Sequence, residues 1–307
     1  MNSSLTVINN HYILAEEPKY PGIHGPSVEE FSSTVSKVSK QYEIISPHDL
    51  QSLNPFNSRY CLFTFDDGLL CQYEPLESIF RQFSFIPFYF ISTLPLISSR
   101  PLDLHVLHKI RSLIPPIDFY LIFQEYVSRN LPFHPALTSY HSLAATHYRY
   151  DTYPTNLCKY FFNYIMTSLQ RDEFVQYLVG FVDLDLTLFY RNTYFTEFDI
   201  QKLDAQYSCI GSHSHQHIPL GNLPNISCKH ELQTSKDILE SCIKRPVNSI
   251  SYPSGNSNAV NSSVFELARS VGYQTGFTMH RSSNSVETNL QMSRYDYNDA
   301  ALYLSSL

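Results

Sequence analysis

The sequence has no tryptophan, and it has no hydrophobic stretch of the roughly 18 residues that a membrane span needs. Its N-terminus, "MNSSLTVINNHYILAEEP", has no basic segment followed by a long apolar one, and so it lacks the pattern of a secretory leader. We therefore expect a soluble, cytoplasmic protein with no transmembrane segment.

The six cysteines form no CxxC pair and no short disulfide framework. Their scattered positions indicate reduced thiols that serve mainly as packing residues. The 28 acidic residues outnumber the 21 basic ones, which gives a formal net charge of −7. This balance argues against nucleic acid or an anionic membrane as the main partner.

With 307 residues, of which 43% are hydrophobic, the chain can form one large domain or a domain with a sizeable insertion. Short apolar runs typical of strands alternate with helical patterns at both ends of the chain, which predicts βα units around a largely parallel sheet or barrel. The predicted strands are Leu5–Ile8, Tyr60–Phe65, Ile86–Ile91, Cys209–Ile210, Ser249–Tyr252 and Gln274–Thr278.

Residues 100–196 have helical periodicity and no convincing strand pattern. We interpret them as an all-helical insertion between two parts of the α/β domain, residues 1–99 and 197–307. Within the insertion, "SYHSLAATHYRYDTYP" is expected to form a surface loop or lid. The many Tyr and Phe residues suit a lid, an oligomer contact or packing between the helices of the insertion itself.

Two adjacent carboxylates, Asp66 and Asp67, directly follow an apolar run in "FTFDDG". The carboxyl end of a buried strand is where α/β proteins bind ligands, and Gly68 allows a sharp turn there. Neighbouring negative charges repel each other in a dry setting, so a cation would explain the pair. A simple strand-ending turn is the alternative interpretation.

Three histidines follow another short apolar run in "GSHSHQH". His213 and His217 are four residues apart, which places both imidazoles within reach of one ion on the same side of a turn. Two neutral imidazoles and one carboxylate leave an open position on a divalent ion, as a catalytic site requires. One aspartate of the pair would then bind the metal, and the other would take a proton from water.

Three motifs resemble, in order, the first three motifs of the polysaccharide deacetylase family, the NodB-homology group of carbohydrate esterases. They are "TFDDG" (Thr64–Gly68), "HSHQH" (His213–His217) and "SYPSG" (Ser251–Gly255). The segments "INNHYIL" and "GYQTGFT" are similar to strands of these enzymes. The helical insertion and the "R-x-D" at Arg294–Asp296 resemble the branch associated with surface-polysaccharide biosynthesis.

The resemblance implies a distorted (β/α) barrel in which Asp67, His213 and His217 bind zinc or a similar divalent ion. It implies that Asp66 is the general base. The reaction would be metal-assisted hydrolysis of an N-acetyl or O-acetyl group on a sugar, a sugar nucleotide or a lipid-linked sugar, with release of acetate.

The resemblance also places Tyr252, Pro253 and His11 around the substrate. The strand around Tyr252 and Pro253 would shape the pocket and present a backbone N–H to the developing oxyanion. For the general acid, the nearest match to the family's late Leu-x-His is "FTMH", which ends in His280. His11, at the end of the first strand, and His215, beside the predicted ligands, are rival candidates.

Two features depart from the family pattern. The third motif usually has an arginine that pairs with the base aspartate, and Ser251 stands in its place here. The fourth motif normally contains tryptophan, which the chain lacks.

These two losses motivate an alternative function, a degenerate carbohydrate-binding protein. Retention of both aspartates and both histidines favours an enzyme. A metal-dependent amidase or imidase acting on a non-sugar C–N bond is the other alternative, and homo-oligomer formation is left open.

Overall fold

The apolar runs form one sheet of eight parallel strands in the computed structural model, which describes residues 3–14, 19–20, 22–131, 137–148, 151 and 153–300. The strands are β1 (Ser4–Asn10), β2 (Glu43–Ile45), β3 (Arg59–Asp67), β4 (Phe88–Ile91), β5 (Ile210–Ser212), β6 (Ser249–Ser251), β7 (Thr275–Phe277) and β8 (Tyr295–Asp296). Their order is β7-β6-β5-β4-β3-β1-β8, and β2 pairs with the first part of β3. The sheet curls into a half-barrel, which confirms the predicted fold class.

Twelve α-helices accompany the sheet in the described part of the chain. They are α1 (Val28–Val38), α2 (Glu77–Phe83), α3 (Leu94–Ser98), α4 (Asp103–Arg111), α5 (Pro116–Asn130), α6 (His141–His147), α7 (Thr155–Tyr160), α8 (Ser168–Val179), α9 (Leu186–Arg191), α10 (Glu197–Tyr207), α11 (Asn225–Ile243) and α12 (Ser262–Val271). Short 3₁₀ turns lie at Pro47–Gln51, Leu70–Gln72, Glu74–Leu76, Leu137–Tyr140 and Leu220–Asn222, and a π-helical turn at Phe161–Ile165. Every helix among these residues is too short or too polar to span a membrane.

Strand β3 is buried on both of its faces, as a nearly continuous apolar run predicts. Phe63 and Phe65 pack in the cluster that also holds residues of the surrounding helices. Leu62 packs on the other face, in a cluster built mainly from strand residues. Because side chains alternate along a strand, Asp66 continues the Leu62 face and lies inside the curl of the sheet.

The described residues divide into two units. The first contains residues 3–14, 25–100 and 190–300 and includes all eight strands. The second contains residues 19–20, 22–24 and the described part of 101–189, and it has its own apolar core around Phe123, Phe161 and Phe174. Helices between residues 94 and 180 form an insertion in the sequence. The boundaries at 100 and 196 stay predictions.

The surface loop predicted over "SYHSLAATHYRYDTYP" is wrong for the residues that form α6. The segment "HSLAATH" has one leucine and two alanines and neither glycine nor proline, so helix propensity favours a helical turn over a loop. Residues 149, 150 and 152 of the predicted loop lie outside the described part of the chain.

Candidate active site

Asp67, His213 and His217 meet at the carboxyl edge of the sheet. One ligand atom from each residue lies within 4.8 Å of the other two. Asp67 Oδ1 is 3.5 Å from His213 Nε2 and 3.3 Å from His217 Nε2. The side chains of Asp67 and His213 are buried, whereas His217 is 10% exposed. The three side chains that the sequence motifs predict as ligands are therefore grouped around one point.

The parallel register brings these residues together. Strand β3 pairs with β4 so that Asp67 faces Ile91, and β4 pairs with β5 so that Ile91 faces Ser212. His213 follows directly, and its backbone N–H donates to the Ile91 carbonyl at 2.8 Å. Since neighbouring parallel strands end at the same edge, the two motifs meet although they are far apart in sequence.

A left-handed backbone at Asp67 directs both aspartates to the same place. Regular alternation would put Asp66 and Asp67 on opposite faces of β3. Asp67 instead has a φ of 79°, and Gly68 follows with a φ of 75°. As a result, Asp66 Oδ2 and Asp67 Oδ1 lie 3.9 Å and 3.5 Å from the same atom, His213 Nε2.

The surroundings of His213 fit a metal ligand. Its Nδ1 lies 2.8 Å from the Ser251 carbonyl oxygen, which can only accept, so Nδ1 carries the proton and Nε2 presents a lone pair to the cluster. Nε2 is buried and has no hydrogen-bond partner in the described structure. A buried acceptor without a partner is unfavourable, and a cation would satisfy it. Two imidazoles and a carboxylate are a donor set suited to a divalent metal ion.

Asp66 has a different environment from its neighbour. Arg294 donates from Nη1 to Asp66 Oδ1 and from Nη2 to Asp66 Oδ2, both at 2.9 Å. Ser251 Oγ and Asn9 Nδ2 also donate to Oδ2, at 3.1 Å and 3.2 Å. The Asp66 carboxylate is thus fixed by four hydrogen bonds, and its orientation is set by a bidentate guanidinium.

These contacts decide the charge of Asp66. Burial alone would raise the pKa of this carboxyl, but the guanidinium of Arg294 and the neighbouring His213 and His11 lower the pKa to about 2. Asp66 is therefore ionised at neutral pH, although it is almost completely buried.

Arg294 is the functional residue whose role the sequence analysis missed. It is fully buried, and besides Asp66 it donates to Asn9 Oδ1, Thr64 Oγ1, Ser251 Oγ and the Thr278 carbonyl. The arginine that was expected at position 251 is therefore supplied from the residue before β8, and Ser251 hydrogen-bonds to its guanidinium. The "R-x-D" motif contained this residue, but nothing in the linear sequence linked it to Asp66.

His11 lies beside Asp66 at the end of β1. Its Nε2 is 3.9 Å from Asp66 Oδ2, and its side chain is 37% exposed. Of the three candidate general acids, it is the one that the structure brings close to Asp66.

The other two candidate acids have different surroundings. His280 is exposed, its backbone N–H donates to Thr278 Oγ1, and none of its recorded contacts reaches Asp66 or the three predicted ligands. His215 is buried, and its Nδ1 lies 2.9 Å from Thr93 Oγ1. Burial lowers the pKa of His215. An acid role for His280 stays a prediction without a supporting contact.

Tyr252 and Pro253 do not offer the expected oxyanion donor. The Tyr252 N–H donates to the Phe277 carbonyl at 3.0 Å, and its hydroxyl donates to the Leu290 carbonyl at 3.1 Å. Pro253 has no N–H. Tyr252 is fully buried, and this burial raises the pKa of its phenol. The two residues can shape the pocket wall, but the backbone donor expected from them is not available.

Comparison with known sequences supports the motif assignment in one part of the chain. A family model described as polysaccharide deacetylase matches residues 186–276. The matched stretch contains His213, His217 and "SYPSG", whereas Asp66 and Asp67 lie before it. A search of curated proteins found no match to the chain.

Comparison with solved structures shows the fold along nearly the whole chain. The deacetylase PplD of Streptococcus pyogenes, solved in complex with acetate, is 13% identical with a TM-score of 0.59, and the match covers 99% of this chain and 98% of that one. IcaB from Ammonifex degensii is 11% identical with a TM-score of 0.57, covering 98% and 96%. A de-N-acetylase from Aggregatibacter actinomycetemcomitans is 11% identical with a TM-score of 0.56, covering 95% and 94%.

Fold and site define a half-barrel α/β protein with a possible Asp-His-His metal centre at the carboxyl edge of its sheet. A family model for polysaccharide deacetylases matches residues 186–276, the segment that holds both histidines, and the chain is similar to that family there.

Proposed function

We propose that the protein is a metal-dependent hydrolase that removes an acetyl group from a carbohydrate, with an N-acetyl group as the preferred substrate. One observation carries the proposal: two adjacent aspartates have separate partners. Asp67 lies with two histidines in a metal-type cluster, and Asp66 is held beside it by Arg294. This arrangement provides a metal ligand and a fixed, ionised base a few ångströms apart.

Asp67, His213 and His217 would hold a divalent ion, for which we propose zinc because the donor set has two imidazole nitrogens. Such an ion, when bound, polarises the acetyl carbonyl and lowers the pKa of a water molecule. The proton on His213 Nδ1, held by the Ser251 carbonyl, keeps Nε2 available as a donor atom.

Asp66 would take the proton from the attacking water. Because its pKa is lowered to about 2, the carboxylate is ionised at neutral pH and has an unprotonated oxygen to accept the proton. The bidentate contact with Arg294 and the hydrogen bond from Ser251 fix the direction of the accepting oxygen. A positioned acceptor of this kind reduces the entropic part of the barrier.

His11 would act as the general acid. When the C–N bond of the acetamide breaks, the amine nitrogen must gain a proton, and a protonated imidazole can supply it. His11 Nε2 lies 3.9 Å from Asp66 Oδ2, and the His11 side chain is 37% exposed to solvent. The products are acetate and a free amino sugar, and the atoms of the water molecule are divided between them.

The substrate class proposed here is an acetylated sugar, sugar nucleotide or lipid-linked sugar that serves as a precursor of surface polysaccharide. The match of the polysaccharide deacetylase model to residues 186–276 and the "R-x-D" resemblance support this class. The match to a de-N-acetylase structure supports an N-acetyl group over an O-acetyl group.

The contact between Arg294 and Asp66 weakens the carbohydrate-binding alternative, because the proposed base aspartate has an arginine partner. The cytoplasmic location expected from the sequence stays a prediction.

An acetate-release screen tests the proposal. Purified protein would be incubated with N-acetylated monosaccharides, sugar nucleotides and lipid-linked sugars, with a chelator or with added zinc. We expect zinc-dependent acetate release from at least one class and none from His213→Ala. Zinc-independent release, or release by His213→Ala at the wild-type rate, would contradict the proposed metal centre, and absence of release from every acetylated sugar would contradict the proposed substrate class.

A further inference from the structure

The loop between β5 and α11 that carries both histidine ligands is held in an unusual backbone conformation. Ser214 has a φ of 60° and His217 a φ of 56°, both in the left-handed region that residues other than glycine rarely adopt. Conformations of this kind persist only where the surroundings hold them. Groups on both sides of this loop hold it in place.

Glu231 on α11 is the main contact on one side of the loop. A single carboxylate oxygen, Oε2, accepts from the His215 N–H at 3.1 Å and from the Gln216 N–H at 2.8 Å. Glu231 is only 4% exposed. Hydrogen bonds from backbone N–H groups to a buried carboxylate are charge-assisted and stronger than neutral ones. They fix the peptide units between the two histidine ligands.

A second contact connects Glu231 to the ligand His217. Burial raises the pKa of Glu231, and the Ser214 side chain is one of the neighbouring groups that oppose this rise. Ser214 Oγ also accepts from the His217 N–H at 3.2 Å. Ser214 therefore neighbours the Glu231 carboxylate and also holds the backbone N–H of His217, and both Ser214 and His217 have a positive φ.

The opposite side of the loop is attached to the start of α3. The Thr93 N–H donates to the Ser214 carbonyl at 3.3 Å, and the Leu94 N–H donates to the His215 carbonyl at 2.9 Å. These bonds use carbonyl groups of the loop, whereas Glu231 binds N–H groups. Glu231 is thus the acidic group that receives the loop's N–H donors, and its loss would leave two of them without their present acceptor.

We propose that Glu231 is a positioning residue of the metal centre: it holds the His213–His217 loop in the ligating conformation without contacting the ion. The inference rests on the proposed function, since it requires the cluster of Asp67, His213 and His217 to bind a divalent ion. Groups that orient metal ligands typically change metal affinity by about 10-fold to 100-fold when they are removed.

The test compares Glu231→Gln and Glu231→Leu with a control on the same helix, Glu240→Gln. Glu240 binds Lys236 and the Val247 N–H and has no recorded contact with the loop. Zinc affinity of each metal-free protein would be measured by competition with a chromophoric chelator. We expect wild-type affinity for Glu240→Gln, and a loss of about 10-fold for Glu231→Gln and up to about 100-fold for Glu231→Leu. Gln should be the milder change because it keeps one acceptor oxygen.

Amide hydrogen exchange in residues 213–217 of the metal-free proteins provides a readout that does not depend on metal. Faster exchange in this loop for the Glu231 variants, with unchanged exchange in β6 and β7, is the expected result. Ser214→Ala breaks the link to His217 while leaving the buried carboxylate in place, and should give an intermediate loss of affinity. It also serves if the Glu231 variants do not fold.

The possible failures are distinguishable. If wild-type protein binds zinc and the Glu231 and Ser214 variants bind it equally well, the positioning role is wrong and the proposed function stands. If wild-type protein binds no divalent ion, the proposed function is wrong. Unchanged loop exchange in the Glu231 variants would overturn the positioning role in either case.

Discussion

Arg294 and Asp66 face each other through two parallel hydrogen bonds, each 2.9 Å long, although the residues are 228 positions apart in the chain. Both side chains are almost fully buried, at 1% and 2% exposure. A buried bidentate pair fixes the carboxylate in direction as well as in charge.

Replacement of Arg294 should impair catalysis more than substrate binding. In Arg294→Met, Asp66 loses its bidentate partner and its orientation, so we expect kcat to fall by about 100-fold, with a smaller change in KM. The acid limb of the pH–rate profile should also move to higher pH, because the guanidinium that lowers the pKa of Asp66 is gone. Arg281→Met, which removes a partly exposed arginine paired with Asp299, is the matched control. Wild-type kcat in Arg294→Met would show that the pair has no catalytic role.

The same pair should make stability depend on pH. The pKa of Asp66 is about 2 in the folded protein, below the ordinary value near 3.9. Its stabilising contribution is therefore present above about pH 4 and is lost as the pH falls towards about 2. The shift corresponds to about 2 kcal/mol.

Asp66→Asn lacks this ionisation and provides the comparison. As the pH falls through this window, metal-free wild type should lose unfolding free energy relative to Asp66→Asn, because only the wild type has the Asp66 carboxylate that becomes protonated. Urea titrations at a series of pH values would measure it. A difference that does not change with pH would mean that the pKa of Asp66 is not lowered on folding.

The role of His11 can be tested through the leaving group. Since a general acid protonates the departing amine, His11→Asn should slow hydrolysis of an N-acetyl sugar by about 100-fold. The same variant should hydrolyse p-nitrophenyl acetate almost normally, because that leaving group departs without protonation. His280→Asn should behave as wild type on both substrates. Equal losses on both substrates in His11→Asn would indicate a structural role, and a selective loss in His280→Asn would restore the original acid assignment.

Much of the sheet could be predicted from the sequence, because its strands are short apolar runs. The two strands that were missed, β2 and β8, are three and two residues long, and β8 is only partly buried. Their pairing depends on the neighbouring strand rather than on a hydrophobic pattern of their own. In the helical insertion, the loop expected around α6 was wrong because helix propensity outweighed the Tyr- and His-rich composition.

The candidate site could be predicted where its residues are neighbours in sequence. Asp66 and Asp67 are adjacent, and His213 and His217 have metal-ligand spacing, so local motifs were sufficient. Arg294 could not be assigned in this way, since its contact with Asp66 arises from tertiary packing. A backbone N–H of the strand around Tyr252 and Pro253 was expected to face the oxyanion, but the Tyr252 N–H donates to the Phe277 carbonyl and Pro253 has no N–H. Such competition for a donor is visible only in three dimensions.

The two adjacent aspartates have separate roles in the proposed mechanism, and bound zinc and activity, measured together, distinguish those roles. Bound zinc and acetate release would be measured on the same preparations of wild type, Asp66→Asn and Asp67→Asn. We predict that Asp66→Asn retains one equivalent of zinc but loses acetate release by about 100-fold or more, whereas Asp67→Asn loses both. Acetate release by Asp66→Asn at the wild-type rate, or full zinc retention by Asp67→Asn, would contradict the account.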